Sequence, residues 1–98
     1  NFWAMSSMMA PYYEILLTTS KWLQKKGMDK KSSQKYITSL FLALSNAASL
    51  YSKKDLKVLV KNSQTPKGLN EQNLKFLKNS GFYNKLNKSL DKIYKILD

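Results

Sequence analysis

Apolar residues recur along this chain at spacings of three and four, the pattern of helices that bury one face, and nowhere do they alternate for long enough to make a useful strand. In the first block Tyr12, Ile15, Leu16, Thr19, Trp22 and Leu23 follow that spacing. Pro11 suits the first helical turn, where its missing N–H costs nothing, and Gln24, Lys25, Lys26 and Gly27 close the helix. Residues 1–10 are apolar and rich in methionine, which predicts a leading segment or short helix that bends at Pro11. Met5, Met8 and Met9 within it read as adaptable packing against a neighbouring domain or subunit.

A second helix is predicted from an N-cap at Asp29 to about Ser52, carrying Tyr36, Ile37, Leu40, Phe41, Leu44, Ala47, Ala48, Leu50 and Tyr51. No charge falls between Lys35 and Lys53. Thr38, Ser39, Ser45, Asn46 and Ser49 interrupt the apolar run, which is shorter than the roughly 20 residues of a membrane span, so a buried helix is expected and no membrane partner. A helix apolar around most of its circumference needs cover on most sides. Ninety-eight residues provide little of it, so a second copy is expected to supply the rest.

A short helix over about 55–61 should turn Leu56, Leu59 and Val60 inward. Thr65 and Pro66 then read as the N-cap and first residue of a fourth helix, which passes through Leu69, Asn73, Leu74 and Leu77 and ends near Ser80-Gly81. Within it, Glu71 and Lys75 stand in the favourable i, i+4 order. The last helix aligns Tyr83, Leu86, Leu90, Ile93 and Leu97 in a heptad-like seam, opposite a solvated face of Lys85, Lys88, Lys92 and Lys95. That seam serves an intersubunit contact or internal packing, and the spacing leaves the choice open. The expectation is one all-α domain over residues 1–98, with about five helices, two of them long and one nearly all-apolar.

The formal charge of +11 raises the question of nucleic acid, because a basic surface gains affinity by releasing counterions from phosphates. Seventeen lysines and no arginine provide no bidentate fork for guanine edges, so nucleic acid is not expected as a partner. The alternative of a small basic helical module for nucleic acid or an acidic protein rests on charge alone. Without Cys or His the chain lacks thiolates, disulfides, imidazole bases and the usual zinc ligands. Its six acidic residues, Glu14, Asp29, Asp55, Glu71, Asp91 and Asp98, are too scattered to pair for acid–base work. No complete catalytic set is present. Tyr12, Tyr13 and Trp22 read as core aromatics, with a pocket lining as the alternative. The chain starts at Asn1 and not at Met, which is read as the mark of a piece of something longer.

Four stretches, taken in order, resemble the C-terminal dimerisation domain of the pyrroline-5-carboxylate reductase family. Ala10-Pro11-Tyr12-Tyr13 is similar to that family's Gly-Pro-Ala-Tyr helix start, and Lys26-Gly27-Met28-Asp29 falls where the family has Gly-Leu-Pro between its long helices. Leu56 to Val60 before Thr65-Pro66-Lys67-Gly68 resembles the Leu-x-x-x-Val run into the Ser-Pro-Gly-Gly-Thr-Thr turn. Leu74 to Leu77 before Ser80-Gly81-Phe82 resembles the segment that precedes the family's terminal helix.

The resemblance implies an intertwined homodimer, or a higher oligomer, that completes the substrate pocket of a cytoplasmic, NAD(P)-dependent oxidoreductase of proline biosynthesis or of a related imine or carbonyl reduction. No Gly-x-Gly-x-x-Gly turn occurs here, so NADPH or NADH is expected in an N-terminal nucleotide-binding domain outside this chain, which by itself would be inactive. By the same resemblance Thr65, Pro66, Lys67, Gly68, Leu69 and Asn70 are the candidate substrate-binding residues, facing a small carboxylate-bearing substrate. A helix N-terminus at Pro66 would offer unpaired N–H groups to that anion, and Gly68 would admit it close to the backbone. Lys67 replaces the family's first glycine of the turn, and Leu69 and Asn70 stand in place of two threonines. Two hydroxyls are therefore missing, and another imine or carbonyl substrate stays open.

Overall fold

The computed structural model describes residues 2–97, among which every regular element is helical. A leading turn, α1 (Phe2–Met5), passes through a 3-10 turn (Ser6–Met8) into α2 (Met9–Lys25), followed by α3 (Lys30–Ser49), α4 (Leu56–Asn62), α5 (Leu69–Asn79) and α6 (Phe82–Leu97). The all-α expectation of about five helices is met. The break expected at Pro11 falls earlier, however, at Ser6–Met8. There the hydroxyls of Ser6 and Ser7 donate to the carbonyls of Trp3 and Ala4, each at 2.6 Å, and so compete with the regular helical ladder. Pro11 lies inside α2, still within the first turn, whose N–H groups have no helical acceptor.

The described chain forms two compact units, residues 8–53 and residues 2–7 with 54–97. In the first, α2 and α3 make a helical hairpin. Its turn is fixed by the sequence: Gly27 takes φ 110°, the Gly27 N–H donates to the Gln24 carbonyl and the Met28 N–H to the Leu23 carbonyl, a paired C-cap that needs glycine. Asp29 then caps α3 by accepting the Ser32 N–H at 2.7 Å and the Ser32 hydroxyl at 2.9 Å. Those hydrogen bonds hold its carboxyl below the usual carboxylate range. Where the helices meet, Ser20 and Ser33 are buried. Their hydroxyls turn back onto the carbonyls of Leu17 and Asp29, so two small side chains permit close approach without leaving a polar atom unpaired.

Ile37 is buried beside them, which stabilises the hairpin by about 2 kcal/mol, and Tyr12 meets the edge of Phe41 with centroids 6.2 Å apart. Beyond Phe41 the leucines lose their cover: Leu42 and Leu44 of α3 are 62 % and 55 % exposed, and Leu50, just past its end, is 79 % exposed. The helix ends at Ser49, sooner than expected. Leu50, Tyr51 and Ser52 continue it only as tight turns onto the carbonyls of Ala47, Ala48 and Ser49.

In the other unit α6 is the common support, packed by α1 and by α5. Ala4 is buried, and Leu86, Leu90 and Ile93 form a half-buried line along α6, whereas Tyr83 and Leu97 of the expected seam are exposed. Asp55 caps α4 through the Lys57 N–H at 2.9 Å. Of the three residues expected inward on α4, Leu59 is half-buried, and Leu56 and Val60 are exposed. Seven residues offer too short a face to be covered by one neighbour.

Candidate functional site

The six candidate residues come together at the entry to α5, in an arrangement that differs from the expected one. Thr65 is not the N-cap and Pro66 is not helical; the helix starts at Leu69 with Gly68 as its N-cap. Residues 65–68 instead form a separate turn closed by the Gly68 N–H donating to the Thr65 carbonyl at 2.8 Å. Pro66 occupies its first central position and Lys67 its second, at φ 61°, the left-handed geometry of a type II turn. Lys67 is the sole described residue other than glycine with a positive φ. A glycine would hold that conformation freely, and a lysine pays roughly 1 kcal/mol for it.

Two side chains one turn along hold this strained peptide from both sides. Glu71 accepts the Lys67 N–H at 3.2 Å, and the Gln72 side-chain amide donates to the Lys67 carbonyl at 2.9 Å. Sequence reasoning assigned Glu71 to Lys75 on the strength of helical spacing. The structure turns its carboxylate back past the helix start to the Lys67 N–H, one residue beyond the N-cap Gly68 that a capping-box glutamate would reach, because the Gly68 N–H is already taken by the Thr65 carbonyl. Gly68 matters here for space: a β-carbon would strike the Thr65 hydroxyl and come within 3.0 Å of the Thr65 carbonyl oxygen. Its small size therefore serves the turn itself.

With glycine at the N-cap, α5 begins without a side-chain cap, so no N-cap side chain accepts from the N–H groups of its first turn, and the dipole favours an acceptor there. The Glu71 carboxylate beside them reduces the attraction for an anion. Leu69 projects 84 % exposed at this entry, and Asn70 lines a neighbouring groove. The two positions that carry family threonines thus look in different directions. Tyr13 and Trp22, read as core, are each 57 % exposed, and the Trp22 ring carries the Lys26 ammonium at 5.5 Å; Tyr12 is packed. Among the described residues no three His, Cys, Asp or Glu side chains come together as a metal site, and no helix is long and apolar enough to cross a membrane.

A family model described as "Pyrroline-5-carboxylate reductase dimerisation" matches residues 3–97. No curated protein and no solved structure matches the chain.

Proposed function

The chain belongs to the pyrroline-5-carboxylate reductase dimerisation family, and from that premise we propose that it pairs with a second copy and completes the substrate pocket of an NAD(P)-dependent oxidoreductase. The family match over nearly the whole chain carries this reading. The physical support is α3: from Leu42 onward it presents two largely exposed leucines, Leu42 and Leu44, in a segment without charge. Apolar surface left in water costs about 25 cal/mol per Å², and a second copy of the same helix is a complementary charge-free surface.

In this reading the turn at 65–70 borders the pocket. The first N–H groups of α5 meet an acceptor on the substrate, a carboxylate in the parent reaction, and the Glu71 and Gln72 clamp keeps them aimed. The hydride donor, NADPH or NADH, would be held outside this chain by a nucleotide-binding domain. Reduction of a cyclic imine in proline biosynthesis is the first activity to measure, in a cytoplasmic setting. The alternative of a basic module for nucleic acid has charge in its favour and no arginine to read bases.

The test is turnover by the protein in its full length: oxidation of NADPH or NADH with pyrroline-5-carboxylate and with other cyclic imines. Activity with any of them that is lost in Gly68→Val, while the dimer persists, supports the reading. A folded dimer that oxidises neither cofactor with any imine overturns it.

A further inference from the structure

Between α4 and α5, two adjoining hollows of about 270 and 350 Å³ share the walls Val60, Leu74 and Tyr83. The larger has the ammonium-bearing chains of Lys57 and Lys78 among its few lining residues and no carboxylate. The smaller adds Asn70 and Asn73, whose amides make no hydrogen bond to described residues. The result is one groove with an apolar floor, a cationic end and an amide end. Its size lies at the small edge of the range typical of small-molecule sites.

The charge distribution separates this groove from the bare face of α3. A second copy laid over Val60 and Leu74 would bring Lys57 and Lys78 into its footprint, and desolvating two ammonium groups without partners costs several kcal/mol. Neither lysine pairs with a carboxylate among the described residues, and both are exposed residues that border the hollow beside Val60 and Leu74. A ligand with a negative group offsets that cost and gains apolar contact at the same time.

We infer that this groove binds a small carboxylate with an apolar ring or chain, its body on Val60, Leu74 and Tyr83 and its carboxylate at Lys57 and Lys78. The inference does not need the oxidoreductase reading: Asn70 of the 65–70 stretch borders only the amide end, whereas the contacts proposed for the ligand are Lys57 and Val60 of α4, Leu74 and Lys78 of α5 and Tyr83 of α6.

Its test uses three probes that share one body, 4-phenylbutyrate, 4-phenylbutyramide and 4-phenylbutylamine, titrated into the intact protein with methyl and aromatic NMR shifts as the readout. The carboxylate is expected to bind best, the amide more weakly and the amine not at all, with shifts at Val60, Leu74 and Tyr83. Lys57→Gln and Lys78→Gln, both at exposed positions, are each expected to weaken the carboxylate roughly fivefold, and added salt to do the same in the parent. Equal binding of all three probes, or binding unaffected by both substitutions, overturns the assignment and marks the groove as a merely greasy surface. Protection of Val60 and Leu74 in the dimer with no probe bound overturns it too, in favour of a subunit contact.

Discussion

The far half of α3 and the groove between α4 and α5 both expose apolar side chains, yet they are built for different company. On α3, Leu42 and Leu44 sit in a stretch with no charge from Tyr36 to Ser52. At the groove, Val60 is 46 % exposed and stands beside lysines. What distinguishes them is the cost of drying the surroundings. A charge-free apolar face is stabilised by burial under another protein surface, whereas an apolar patch rimmed by unpaired ammonium groups is stabilised only by an occupant that brings negative charge.

The strongest blow to this contrast is Leu44→Asp. A carboxylate at the centre of the proposed contact would be buried unpaired at a cost of about 3–5 kcal/mol, so the dimer should weaken by a hundredfold or more in sedimentation velocity. Val60→Asp should leave assembly nearly unchanged, and equal disruption by both would erase the distinction. Gly68→Val comes next. The new side chain collides with Thr65 inside the turn, and thermal unfolding should show a loss of about 1–3 kcal/mol that leaves the dimer intact.

A smaller effect, of opposite sign, is expected at Lys67. Lys67→Gly relieves the left-handed strain but adds freedom to the unfolded chain, for a net gain under about 1 kcal/mol in chemical denaturation. If it destabilises, the clamp by Glu71 and Gln72 holds something other than a strained peptide. Acid provides the mildest test. The Asp29 carboxyl is held below its ordinary value by the Ser32 N–H, so its stabilisation of α3 is present above the unfolded-state value and is lost as pH falls through the folded one, below roughly pH 4. Asp29→Asn should flatten that part of the helicity-against-pH curve measured by circular dichroism.

Much of the fold was legible because its determinants are local. Gly27 and Asp29 set the hairpin turn, Asp55 and Gly81 mark helix ends, and the three-and-four spacing of Leu86, Leu90 and Ile93 places α6. The entry to α5 was misread because Thr65-Pro66 is equally good chemistry for a helix start and for a type II turn, and only the closing bond from the Gly68 N–H to the Thr65 carbonyl decides between them. The break at Ser6–Met8 was missed for a related reason: proline is the louder signal, while two serine hydroxyls drawn to carbonyls three residues back are quiet ones. At the candidate site the glycine was visible and its role was not, since the atom it must avoid belongs to Thr65. The groove lay beyond sequence because it joins Lys57 and Val60 to Lys78 and Tyr83, pairs that no local periodicity connects.

The chain contains no cysteine, so single thiols report cleanly on cover by another subunit. Leu44→Cys and Val60→Cys place a probe at positions of comparable exposure in one chain, 55 % and 46 %. Labelling the native protein with a maleimide at tens of micromolar should find the thiol at 44 protected, reacting at full speed only after dilution dissociates the dimer, and the thiol at 60 open throughout. Equal, rapid labelling of both in a helical protein at that concentration would contradict the account, for it would leave the apolar face of α3 in water with no second copy upon it.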